Sequence, residues 1–86
     1  MSDLKLSIKM LRRKIQYGNK KLKDLDEAIA EAENKFARTQ NIVDYTDVVL
    51  LKNEKENLKA ELLISNYKLE SLKKEFEEQC SQSQPQ

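Results

Sequence analysis

What a short chain can do chemically is limited by the side chains able to do it, and here that inventory is narrow. The 86 residues contain no histidine, one cysteine (Cys80) and one glycine (Gly18). Without imidazole there is no histidine metal ligand, no imidazole general base and no imidazole pH switch. Cys80 has no imidazole to activate it, so no nucleophile–base pair can form. A single glycine cannot build a phosphate-cradling loop. Carboxylates are numerous, 15 in all, but they fall at the solvated spacings of a helix. None occupies the apolar stripe described below, where an inward cluster would be needed to hold a metal in a bundle. The sequence therefore predicts no catalytic, cofactor-binding or metal-binding residue, and neither an enzyme nor a small-molecule site.

Two sets of side chains remain that can recognise a macromolecule. Residues 1–23 carry Lys5, Lys9, Arg12, Arg13, Lys14, Lys20, Lys21 and Lys23 against Asp3 alone, a local charge of +7. Residues 24–34 answer with Asp24, Asp26, Glu27, Glu31 and Glu33, a local charge of −5. A basic helical face can hold phosphates, and Tyr17 lies among these residues as a stacking group, so Arg12, Arg13, Lys14, Lys20 and Lys21 are the candidate nucleic-acid contacts. The second set is apolar: Leu6, Met10, Tyr17, Leu50, Leu63, Ile64 and Tyr67 lie off the stripes that would build a core. Apolar residues gathered outside a core imply burial against something else. They are the candidate partner or dimer interface, and protein association is the preferred reading over nucleic-acid binding.

Both sets must be positioned by helices. Ile8, Ile15, Leu22, Ile29 and Phe36 recur every seven residues, and Leu4, Leu11, Gly18, Leu25 and Ala32 interleave them. Those are the a and d positions of a coiled-coil seam, a stripe along one face of a helix. Ser2 and Asp3 suit its N-terminus. Gly18 at a d position costs roughly 1 kcal/mol against Ala, and close approach of a neighbouring helix is the expected compensation. A second stripe runs through Val48, Leu51, Lys55, Leu58, Leu62, Ser65, Leu69, Leu72 and Phe76. Lys55 is expected to snorkel, its stem packed and its ammonium in water.

Between the stripes, residues 37–47 gather polar and β-branched side chains of lower helix propensity. Asn41 is the candidate for a left-handed closing residue, and Asn41 or Asp44 for the cap of the next helix. Phe36 to Val48 is twelve residues, which fits neither a continuous heptad nor the usual three- or four-residue slips. The chain is therefore expected to turn back. Helix 1 is placed at about 3–38, the turn at about 39–45 and helix 2 at about 46–79. Residues 81–86 are expected to form a disordered polar tail. In the preferred register, facing residue numbers add to 80, so that Gly18 meets Leu62 and Leu25 meets Lys55; a sum of 87, slipped by one heptad with Ile8 facing Gln79, is the alternative. The same turn lays the basic start of arm 1 beside Glu70, Glu75, Glu77 and Glu78.

The fold class that follows is all-α: an antiparallel two-helix coiled-coil hairpin over residues 1–80, pairing with a second copy as a four-helix bundle. Two helices with Gly18, Lys55 and Ser65 in their seam make a thin core, and chains this small often need oligomerisation. The longest apolar run, Val48 to Leu51, is far short of a membrane span. With no export signal read at its start, the chain is expected to be cytoplasmic, with no membrane partner. The expected function is a small adaptor, chaperone-like or accessory subunit acting through protein contacts.

Overall fold

The computed structural model describes residues 2–83, with side chains over 3–80. Two helices account for nearly all of it, α1 over Ser2–Thr39 and α2 over Ile42–Ser83, with no strand among the described residues. At 1.5 Å per residue a single rod of that length would reach about 120 Å. The molecule extends 70 × 16 × 15 Å instead, because α2 returns along α1 as a hairpin.

The turn is tighter than the sequence suggests. Residues 39–45 were expected to be non-helical, yet only Gln40 and Asn41 leave the helices. Gln40 rather than Asn41 takes the left-handed conformation, at φ 51°. Its amide donates to the Phe36 carbonyl at 2.7 Å, the bond that closes a helix end of this type. Asn41 serves instead as the N-cap of α2, its side-chain oxygen accepting from the Val43 amide at 3.0 Å. With that cap in place the β-branched pair Ile42-Val43 can enter the helix directly. Of the expected tail, residues 81–83 belong to the end of α2, and 84–86 lie outside the described residues.

The buried line on each helix follows the predicted stripes. Ile8, Ile15, Leu62 and Leu69 form a central cluster, flanked by half-buried Leu4, Leu11, Leu22, Leu58, Leu72 and Phe76. Leu25, Ile29 and Val48 continue the core toward the turn. Gly18 lies directly against Leu62: a Cβ built on it would stand 2.5 Å from Leu62 Cδ2. The absence of a side chain lets the helices approach there, and the pair is the one required when facing numbers add to 80.

The stripe also continues one step further than expected. Asp44 is buried, so the seam ends on a carboxylate, which corrects the reading that no stripe position is acidic. A buried carboxylate needs partners. The Thr39 hydroxyl donates to Asp44 Oδ2, and Lys35 Nζ lies 3.6 Å from Oδ1. Beside it Phe36, which faces Asp44 when the numbers add to 80, packs on Tyr45 with ring centroids 5.3 Å apart and planes tilted by 54°.

Candidate partner interface

Each candidate interface residue is exposed, and the hairpin distributes them unevenly. Three are brought together. Leu63, Ile64 and Tyr67 line an open groove of about 660 Å³ with half-buried Leu11 and Leu72, and Lys68 and Ser71 at its edge. Successive turns of α2 place these residues side by side, since positions three and four apart share a helix face. Ile64 is 56% and Tyr67 77% exposed. Tyr17 lines a second hollow of about 220 Å³ with Lys14, Gly18, Lys21, Leu58, Glu61, Leu62 and Ser65. Leu6, Met10 and Leu50 are exposed and line neither hollow.

Near the turn, further apolar surface went unread in the sequence. Ile42, Val43, Tyr45 and Val49 are all exposed, the first three on a helix that begins at Ile42 rather than after Tyr45. The signal available was Asn41, whose capping role would have placed them on the helix surface.

The five candidate nucleic-acid contacts are exposed on different sides of α1. Arg12 shares a hollow with Lys5, Ile8, Lys73, Phe76 and Glu77. Lys14 and Lys21 flank Tyr17, with Glu61 across from them. Arg13 and Lys20 line none of these hollows and, at seven-residue spacing, share the outer face of α1. A carboxylate therefore sits in each hollow that holds one of the basic side chains.

Electrostatic pairing between the helices is also not where the charge pattern places it. Among the described residues no ion pair joins the basic start of α1 to Glu70, Glu75, Glu77 or Glu78. The inter-helix pairs lie in the turn half: Lys35 to Asp44, Lys52 to Glu33 at 3.5 Å, and Lys55 to Asp26 at 2.6 Å. Long exposed side chains gain little from pairing in water, whereas Lys55 is already anchored by its stem in the seam. Its stem lies in the seam and its ammonium reaches out to the exposed Asp26 carboxylate, a bonded partner the sequence did not name. The hydrogen bond to Asp26 raises the Lys55 pKa above its ordinary value, the Asp26 and Glu56 charges add to the rise, and partial burial opposes it.

Among the described residues no three His, Cys, Asp or Glu side chains come together to hold a metal ion. No helix there is long and apolar enough to cross a membrane. Comparison with protein-family models, curated proteins and solved structures finds no match to this chain. What the protein does must be argued from its own surface.

The groove is the feature of that surface that departs furthest from ordinary solvated helix. The groove is apolar along its length and edged by a lysine and a serine, the arrangement into which an amphipathic helix can lay its apolar face.

Proposed function

We propose that this chain is a non-enzymatic interaction module. In this reading it is an antiparallel two-helix coiled-coil hairpin whose copies pair as a four-helix bundle, and which works as a small adaptor, chaperone-like or accessory subunit by capturing a partner protein. The observation that carries the reading is the groove formed by Leu63, Ile64 and Tyr67, three large apolar side chains exposed on adjacent turns. Support comes from the thinness of the core. Among the described residues no side chain is less than 2% exposed, so the hairpin alone buries nothing completely. Contiguous apolar surface beside an incomplete core is what association would cover.

The test is Leu63→Asp and Tyr67→Asp. Each should shift the molar mass in solution toward monomer, or abolish partner binding, while leaving helicity largely intact. If mass and binding are unchanged in both variants, the groove is not the interface.

A second reading has one specific observation in its favour, the placement of Tyr17 between Lys14 and Lys21 in a single hollow. A base could stack on the ring while the ammonium groups hold phosphate. It ranks lower because Glu61 and Glu77 lie among the same basic side chains and because the five basic candidates do not share one face.

A further inference from the structure

The seam of the hairpin occupies one side of α2, and the side turned away from α1 repeats its spacing. Positions 43, 46, 50, 53, 57, 60, 64, 67 and 71 follow one another by threes and fours, and none is charged, in a chain that is 36% charged. Such spacing keeps residues in line on one helix face, as in a coiled-coil seam. The corresponding outer line of α1, from position 6 to position 34, carries Arg13, Lys20, Asp24, Glu27 and Glu31. Only α2 carries an outer line free of charge over so long a stretch, 43–71, before Lys74 and Glu78 continue it. That line is exposed, and it runs from the apolar surface near the turn through Leu50 to Ile64 and Tyr67 in the groove.

Charge is divided along the length of the hairpin. The open half, residues 2–23 and 57–83, holds twelve Lys and Arg against six Asp and Glu; the turn half, residues 24–56, holds four against nine. The halves therefore carry +6 and −5. A second copy laid alongside in the same direction would place like charge on like. Laid in the opposite direction, it places each positive half over a negative one.

The chain has surface to lose. Its accessible area is 7178 Å². A folded monomer of its mass is expected to expose about 5,300 Å². The excess, about 1,900 Å², is more than the roughly 800 Å² per partner that a standard interface removes.

We infer that the outer line of α2 is a self-association seam, occupied by α2 of a second copy running the opposite way. The inference rests on the reading that the hairpin self-associates. It refines that reading by ordering the helices α1–α2–α2–α1 rather than as a closed square. With the two-fold axis at residue 55, facing numbers add to 110. Leu50 then comes opposite Ala60 of the partner subunit, Thr46 opposite Ile64 of the partner subunit, and Val43 opposite Tyr67 of the partner subunit. Asn53 meets Asn57 of the partner subunit twice about the axis. Large residues face smaller ones, and amide faces amide, a pairing that fixes register in helical seams.

Two measurements on the full chain test this. Sedimentation equilibrium gives the mass of the native protein and of Leu50→Lys and Ile64→Lys, with circular dichroism as the check that both stay helical. Electron–electron distances are read in a Cys80→Ser, Glu70→Cys variant carrying a nitroxide. In the opposed seam residue 70 is level with residue 40 of the partner subunit, so the two labels at position 70 stand about 30 residues or 45 Å apart along the axis. The expected result is a dimer with labels about 45 Å apart and a dissociation constant raised at least tenfold by each lysine. A dimer with any other separation (same-direction pairs fall under about 25 Å), or one untouched by both lysines, overturns this seam and leaves self-association standing. A monomer at every concentration overturns both.

Discussion

Gly18 and Leu62 occupy a single site in the seam: a methyl group added to Gly18 would come within 2.5 Å of Leu62 Cδ2 and about 3.3 Å of its Cγ. Two effects oppose each other there. Alanine is favoured over glycine by about 1 kcal/mol within a helix, while overfilling a packed site costs about 1–3 kcal/mol. Leu62 is buried, so turning its Cδ2 away from the new methyl gives up packing of its own. Gly18→Ala should therefore destabilise the protein by about 1 kcal/mol, and Leu62→Ala should cost less in the Gly18→Ala background than alone. Urea denaturation of the four proteins of that cycle measures both; additive effects would show that the two sites do not compete for space.

The turn allows a gain in stability. Gln40 holds a left-handed conformation that a β-carbon disfavours by about 1–2 kcal/mol. Gln40→Gly removes the clash but adds freedom to the unfolded chain, so a net rise of about 0.5–1 kcal/mol is expected. A lower midpoint in urea would mean that the Gln40 side chain contributes something its geometry does not reveal.

The cap of α2 should be among the most sensitive exposed positions. Asn41→Ala removes the acceptor for the Val43 amide and should cost about 1 kcal/mol. Thr39→Val removes a donor from the buried Asp44 carboxylate and should cost about 1–3 kcal/mol, the usual penalty for leaving such a group short of a partner. In an Asp44→Leu background the same Thr39→Val change should cost much less. Equal losses in both backgrounds would separate Thr39 from Asp44.

Lys55 makes the stability depend on alkaline pH. Its folded-state pKa is raised, chiefly by the hydrogen bond to Asp26. A raised pKa means that the contribution is fully present below the unfolded lysine value, about 10.4, and disappears as pH climbs through the higher folded value. The stability difference between the native protein and Lys55→Met should accordingly be constant from neutral pH to about pH 9.5 and change only above about pH 10.4. A difference that already changes between pH 6 and 9 would point to another group.

Nucleic-acid binding and protein capture separate through salt. Reversing Arg12, Arg13 and Lys14 to Glu should abolish binding to RNA or DNA if the basic arm is the contact, and the affinity should fall steeply with added salt. A partner held in the Leu63–Tyr67 groove should respond weakly to salt and strongly to Leu63→Asp. Measured binding that follows the first pattern would displace the interaction-module reading.

The hairpin itself was legible because both of its causes are local. Heptad spacing places Ile8, Ile15, Leu62 and Leu69 on facing stripes, and the twelve-position step from Phe36 to Val48 breaks the frame. Gly18 was readable as a close-approach site because nothing else excuses a glycine in the middle of a helix. Most of what went unread concerns the turn. The span expected to be irregular shrank to Gln40 and Asn41, since one capping oxygen and one left-handed residue suffice to reverse the chain. Asp44, polar and off any apolar list, is buried only because Thr39 and Lys35 come round to meet it.

Linear order and residue type settle which face of each helix avoids water, since apolar periodicity is a property of a few consecutive turns. They do not settle which charges meet. Lys55 finds Asp26, and Glu33 finds Lys52, because the axial level of the two helices is decided by the shape fit at Gly18 and Leu62. Nor do they say that Leu63, Ile64 and Tyr67 line one groove with Leu11 and Leu72. That grouping depends on how far each helix is rotated about its own axis, and only packing against the other helix sets that angle.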